Sequence, residues 1–196
     1  VHFKADASVQ ITASHNPGSY IGMKLVAPNL VTLAMGNGPQ GGIKAIREFY
    51  VEDKPIQRTH RGTVRVIHYL EQFVHYSARL AGLEANELSG VSILTDFLHG
   101  SAGSEVSEAL SWAGANVHLR NFTPDGNFPA GDPNPIVLAS IAPTWELMKK
   151  GGYDFGFCYD GDGDRMDVMA PTGVQLTPSF NLSLLIPDIK AYKVQV

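Results

Sequence analysis

The spacing of apolar residues changes several times along this chain. Residues 8–12 (Ser-Val-Gln-Ile-Thr) alternate polar and apolar, the two-residue period of a strand. They run directly into Ala13-Ser14-His15-Asn16-Pro17-Gly18, where Asn-Pro-Gly enforces a turn. Residues 23–26 read as a second short strand. Over residues 40–52 the period lengthens, and Ile43, Ile46 and Phe49 share one face of a predicted helix. Residues 54–62 are polar, include Pro55 and Gly62, and mark a domain boundary. Beyond them, Ile67, Leu70, Phe73, Val74 and Leu80 recur near the helical period and predict a long helix.

From there strand and helix patterns alternate. Strands are predicted at 91–95, 116–120, 155–159 and 166–169, and helices at 104–113 and 138–150, with Pro143 in the first turns of the last helix or delaying its start. A Pro/Gly-rich loop occupies 123–135. Strands alternating with helices imply βαβ units, hence an α/β fold with mixed, mainly parallel sheets flanked by helices. Residues from 176 onward start like a helix after Thr177-Pro178.

Composition narrows the class. The 196 residues are 44% hydrophobic and 17% charged, enough apolar material for a real core. A net charge of -4 argues against a general nucleic-acid binder, which shows a basic excess. No apolar run approaches the roughly 20 residues of a membrane helix. Cys158 is the only cysteine, so no intrachain disulfide can form, and a reducing, cytoplasmic setting is expected. Val1 to Asp6 hold no initiator Met and no signal-peptide pattern, so the chain is expected to start in mid-protein.

Two loops carry candidate chemistry. Ser14 stands just after a strand, where α/β sheets place functional loops. Its hydroxyl needs activation to act as a nucleophile. His15 beside it, and Lys24 after Gly22, could supply positive charge to a phosphoryl group. On the residues alone, Ser14 and Asn16 read first as turn builders, ahead of any catalytic role. No Gly-x-Ser-x-Gly elbow surrounds Ser14, which disfavours a hydrolase-type serine. The second loop, Asp160-Gly161-Asp162-Gly163-Asp164-Arg165, follows a predicted strand. Three carboxylates at alternate positions can converge on a hard cation, glycines let the backbone curl, and Arg165 offers a phosphate-binding fork. An EF-hand would need Gly and Glu where Arg165 and Pro171 stand, so that reading fails. A solvated acidic turn is the other alternative. His68, His75, Trp112, Trp145 and Cys158 are expected to serve surface or packing roles.

Both loops resemble signatures of one family, the α-D-phosphohexomutases. Thr12-Ala13-Ser14-His15-Asn16-Pro17 is similar to its phosphoserine motif, and Asp160 to Arg165 to its metal loop. Gly22-Met23-Lys24, His99-Gly100-Ser101-Ala102-Gly103, Pro124-Asp125-Gly126-Asn127-Phe128-Pro129 and Pro133-Asn134-Pro135 also match. The resemblance implies that residues 1–60 are the C-terminal part of domain 1, residues 61–174 domain 2, and residues 175–196 the start of domain 3 of a four-domain enzyme. The sugar-recognition and phosphate-binding motifs of domains 3 and 4 have no counterpart in the sequence.

By position, the resemblance implies phosphorylation of Ser14, and one magnesium ion held by phosphorylated Ser14, Asp160, Asp162 and Asp164. Arg165 would contact the phosphoryl group or the substrate, and His15 and Lys24 would assist as acid or base. The implied substrate is a hexose phosphate, of glucose or mannose. A hexose 1,6-bisphosphate would serve as intermediate and activator. The competing readings are a truncated, non-catalytic magnesium-binding domain and a magnesium-dependent sugar phosphatase.

Overall fold

The alternating segment near the N-terminus becomes strand β1 (Ser8–Ile11) in a computed structural model that describes residues 4–53 and 60–191. The chain divides into two units, Val1–Ala13 with Ile21–His68, and Ser14–Tyr20 with Tyr69–Val196. In the first, β1 pairs antiparallel with β2 (Met23–Ala27), which pairs antiparallel with β3 (Val31–Thr32). Val9 faces Leu25 and Ile11 faces Met23 across the ladder. Helix α1 (Ile43–Val51) begins later than expected, because Pro39–Gly41 forms a 3-10 turn and Gly42 precedes the helix at φ 61°. Among the described residues of this unit no large apolar side chain is fully buried. Most of residues 54–62, where the boundary was expected, lie outside the described residues.

The second unit holds the core. It starts with α2 (Leu70–Leu80), shorter than the apolar pattern from Ile67 suggested, so His68 lies before the helix. Its strands are β4 (Ser92–Asp96), β5 (Asn116–Arg120), β6 (Phe155–Tyr159), β7 (Met166–Met169) and β8 (Gln175–Leu176), in the order β5-β4-β6-β7-β8. The α/β class with a mixed sheet and flanking helices is as expected. Parallel pairing, expected to dominate, is confined to β5-β4-β6, and β6-β7-β8 pair antiparallel. The cause is loop length: β4 and β5 are joined through a helix, whereas β6 and β7 are joined only by residues 160–165, which permits a hairpin but no crossover.

Helix α3 (Gly103–Trp112) packs beside β5 and against α2, where Val74 and Ala78, one turn apart, are buried. Helix α4 (Leu138–Lys149) lies on β4 and β6 and runs through Pro143 without a break. Between α4 and the sheet, Leu94, Leu98, Ile141, Met148, Cys158 and Met169 form the apolar cluster, with Trp145 packed against it. Burying each larger side chain there contributes about 1.5–3 kcal/mol. Helix α5 (Pro178–Ala191) follows β8. No helix among the described residues is long and apolar enough to cross a membrane.

Because β4 and β6 run parallel, their carboxyl ends emerge at the same edge of the sheet, where α/β folds carry ligand sites. The chain leaving β4 enters the His99-Gly100-Ser101 segment, and the chain leaving β6 enters the aspartate loop.

Candidate active site

The aspartate loop is the tight connection of the β6-β7 hairpin. Its backbone closes on itself through Asp160 N donating to Arg165 O (3.2 Å) and Gly163 N to Asp160 O (3.1 Å). Two neighbouring segments brace it. Gly161 N donates to Pro133 O at 3.0 Å, and Ser101 N donates to Gly161 O at 3.0 Å. A Cβ on Gly100 would lie 2.8 Å from both Asp160 O and Gly161 O, so only glycine allows this approach.

The serine loop meets the aspartate loop within the second unit. Ser14 adopts φ 58°, a left-handed conformation that costs a non-glycine residue about 1–2 kcal/mol. Its carbonyl lies against Gly161, where an added Cβ would approach to 2.5 Å. Tyr20 N donates to Pro17 O at 2.9 Å and closes the following turn. A cleft of about 210 Å³ lies between Pro17 and Gly18 on one side and residues 127–133 on the other.

One guanidinium joins the two loops. Arg165 donates to Asp160 Oδ2 from Nε at 2.8 Å and from Nη2 at 2.7 Å. The same Nη2 donates to Ser14 Oγ at 3.0 Å. The backbone N–H of Arg165 adds a bond to Asp160 Oδ1 at 3.1 Å, and Nε lies 3.5 Å from Asp164 Oδ1. Asp160 is wholly buried, Asp162 half-buried and Asp164 exposed. One oxygen from each lies within 4.8 Å of the others. At that spacing two carboxylates repel by about 3.5 kcal/mol for an effective dielectric of ~20.

The donor set fits a hard cation. Oxygens around an octahedral magnesium at ~2.1 Å stand about 3.0 Å apart when adjacent and about 4.2 Å when opposite, and at most one pair of three can be opposite, so the carboxylates have to close by up to about 1.8 Å to share one ion. Three hard oxygen donors match magnesium or calcium rather than a thiolate-seeking metal.

Of the residues singled out from sequence, Ser14, Asp160, Asp162, Asp164 and Arg165 come together here. His15 stands next to Ser14 in the turn and is half-buried. Lys24 belongs to the first unit, on β2 opposite Gln10. Behind the site, Tyr159 stacks on Phe97 at 5.6 Å, and burial pushes its phenol up to about 12.

A family model described as phosphoglucomutase/phosphomannomutase, alpha/beta/alpha domain II, matches residues 68–173, more than half of the chain and the whole aspartate loop. The chain belongs to the phosphoglucomutase/phosphomannomutase family. Domain I of the same family matches residues 1–35, which include Ser14 and Lys24. A phosphomannomutase of Escherichia coli is 32% identical over 171 residues, covering 84% of this chain and 36% of the relative. A protein named phosphohexose mutases, from Xanthomonas campestris pv. campestris, is 32% identical over 196 residues, covering 97% of this chain and 41% of its own length. The chain thus spans well under half of these relatives. A solved phosphoglucomutase/phosphomannomutase family protein of Burkholderia thailandensis superimposes with a TM-score of 0.78 at 25% identity, over 95% of this chain and 38% of the other.

The sequence reading missed Asp96, at the end of β4. Its fully buried carboxylate accepts from Leu98 N (3.0 Å), Asn121 Nδ2 (2.8 Å), Arg120 Nε (3.4 Å) and Thr144 Oγ1. These bonds fix the start of the segment that grips Gly161. The available signal was a lone acid closing the apolar run Ser-Ile-Leu-Thr-Asp-Phe, since a buried acid demands partners.

Proposed function

We propose that this chain carries the phosphoserine and metal-binding half of a phosphohexomutase, an enzyme that moves phosphate between the 1- and 6-positions of a hexose phosphate. The observation that carries the reading is Arg165 Nη2 shared between Asp160 Oδ2 and Ser14 Oγ, which puts a phosphorylatable hydroxyl, a carboxylate trio and a phosphate-binding fork in one site.

In this proposal Ser14 carries a phosphoryl group in the resting enzyme. The free hydroxyl of a hexose monophosphate attacks that phosphorus. Its proton passes to a base, for which His15 and Lys24 are the candidates, and the bond from phosphorus to Ser14 Oγ breaks. The product is a hexose 1,6-bisphosphate. It turns around and returns its other phosphoryl group to Ser14 Oγ, leaving the isomeric monophosphate and restoring phosphoserine. Arg165 orients the phosphoryl oxygens through its fork. Asp160, Asp162, Asp164 and the Ser14 oxygen would hold one magnesium ion, which when bound supplies neutralising charge at the transferring phosphoryl group. Substrates of the glucose or mannose phosphate type suit this reading. A cytoplasmic setting suits a chain with one cysteine, buried and free.

Positioning of both ends of the substrate contributes roughly 7–11 kcal/mol to reactions of this kind. The chain spans only 36% and 41% of two mutase relatives. The 196-residue polypeptide assayed alone is therefore expected to give no appreciable turnover. The test of the reading is conversion of glucose 1-phosphate or mannose 1-phosphate to the 6-phosphate by the protein in its full natural length, with magnesium and a hexose bisphosphate primer. Ser14→Ala abolishes turnover if the proposal holds. Wild-type rates in Ser14→Ala overturn it.

A further inference from the structure

The guanidinium of Arg165 holds the carboxylate of Asp160, one of the three acids that would bind a metal ion. Its Nη2 touches both Asp160 Oδ2 at 2.7 Å and Ser14 Oγ at 3.0 Å, the two oxygens that link the aspartate loop to the serine loop. Its Nε adds a second bond to the same carboxylate oxygen at 2.8 Å and reaches Asp164 at 3.5 Å. Asp160 is fully buried, and a buried charge without a partner is costly, so the loop compensates its own acid from five residues away. The closure is local and geometrically complete. Both Asp160 oxygens accept from Arg165, one from the backbone N–H and one from the side-chain fork. A divalent cation and this guanidinium would compete for the same carboxylate and repel each other.

Phosphate on Ser14 changes that balance. It would add a charge of about −1.5 to −2 and three strong acceptor oxygens on the very atom Nη2 already touches. Arginine prefers such a bidentate anion, and the side chain, 35% exposed, has room to move. Transfer of the fork from Asp160 to the phosphate would release the buried carboxylate.

We infer that Arg165 makes metal binding conditional on phosphorylation of Ser14. In the unphosphorylated chain Arg165 is the resident cation and holds the metal loop shut. In the phosphorylated chain it moves to the phosphate and leaves Asp160 to the metal. By linkage the converse holds, and metal at Asp160 favours Arg165 on the phosphate. The inference rests on the metal site proposed above and adds its regulation.

The test is Mn2+ binding to the unphosphorylated chain, followed by electron paramagnetic resonance of the free ion, in wild type, Arg165→Gln, Arg165→Lys, Asp162→Asn and the double variant Arg165→Gln with Asp162→Asn. Losing a charge-assisted fork is expected to tighten Mn2+ binding in Arg165→Gln about tenfold. Arg165→Lys, which keeps the charge but not the fork, should fall between, and Asp162→Asn should remove the gain. Thermal melts should show Arg165→Gln destabilised without metal and rescued by Mn2+ more than wild type is. Should Arg165→Gln not fold without metal, Arg165→Lys against wild type carries the comparison. Equal or weaker Mn2+ binding in the Arg165 variants, still lost on Asp162→Asn, overturns the inference and leaves the metal site standing. Binding insensitive to Asp162 in every chain overturns the metal site and the inference with it.

Discussion

Replacing Asp96 by alanine tests whether the second unit is organised around one buried carboxylate. Asp96 accepts four hydrogen bonds from three directions: the turn after β4, the end of β5, and the middle of α4. Alanine strands all four donors. Arg120, with 30% of its side chain exposed, can turn to water, and Asn121 is only partly buried. Leu98 N and Thr144 Oγ1 cannot escape, because both residues are wholly buried. A stranded buried donor costs about 1–3 kcal/mol, and breaking a buried charge pair costs about 3–5 kcal/mol. The expected loss is therefore about 3–5 kcal/mol, or a fall in melting temperature of roughly 6–20 °C for a domain of this size. Thr144→Val removes one donor, leaves the other three bonds in place and should cost only about 1 kcal/mol. Urea denaturation followed by circular dichroism measures both. The change should also loosen the segment in which Leu98 and His99 sit at φ 47° and 61°, from which Ser101 holds Gly161, so Mn2+ affinity should fall as well. A loss below about 1 kcal/mol for Asp96→Ala would refute the reasoning.

Three further outcomes follow from the same geometry. Gly100→Ala puts a Cβ 2.8 Å from two backbone oxygens of the aspartate loop, so it should cost about 1–3 kcal/mol and weaken Mn2+ binding, and unchanged melting and binding would contradict this. Asp167 accepts from Gln175 at 2.6 Å through Oδ1, while its buried Oδ2 has no hydrogen-bond partner. Burial raises its carboxyl above the usual 3.8, with the Gln175 bond acting in the opposite sense. The folded state thus binds this proton more tightly than the unfolded state, and stability is lost as pH rises from about the unfolded value through the raised one. Asp167→Asn should melt higher than wild type at pH 7, and the gain should vanish near pH 4; an equal gain at both pH values would show that ionisation is not the cause. Burial pushes the Cys158 thiol well above its ordinary range, so a thiol reagent at pH 8 should label it only on unfolding, and rapid labelling of the folded chain would contradict the packing.

Local signals in the sequence located the strands of the larger sheet well. Residues 116–120, 155–159 and 166–169 match β5, β6 and β7 at both ends, because short alternating or apolar stretches there are bounded by turn residues. The aspartate loop was legible because three aspartates interleaved with glycine are an unusual pattern whose chemistry is local, whereas Ser14, followed by His15-Asn16-Pro17-Gly18, read by itself as a turn residue and took its expected role from the resemblance. Boundaries slipped where backbone chemistry competes with periodicity, as at the start of α1, where Pro39 and two positive-φ glycines delay the helix. The short β3 and β8 pairings depend on partners across a turn, which apolar spacing does not encode. The partners of Asp96 were out of reach for the same reason, although the lone acid itself stood out in its apolar run. Its side-chain partners lie 24 to 48 residues away, and nothing near it in the chain announces them. The same holds for Arg165 on Ser14, a contact across 151 residues between two loops that were legible only one at a time.

The most direct test of the account is where phosphate resides. The protein in its full natural length, incubated with a hexose 1,6-bisphosphate and magnesium, is digested and its peptides are mapped by mass spectrometry. The account predicts phosphate on Ser14, and no phosphorylated peptide in the Ser14→Ala variant. Phosphate on another residue, with Ser14 always bare, would contradict it.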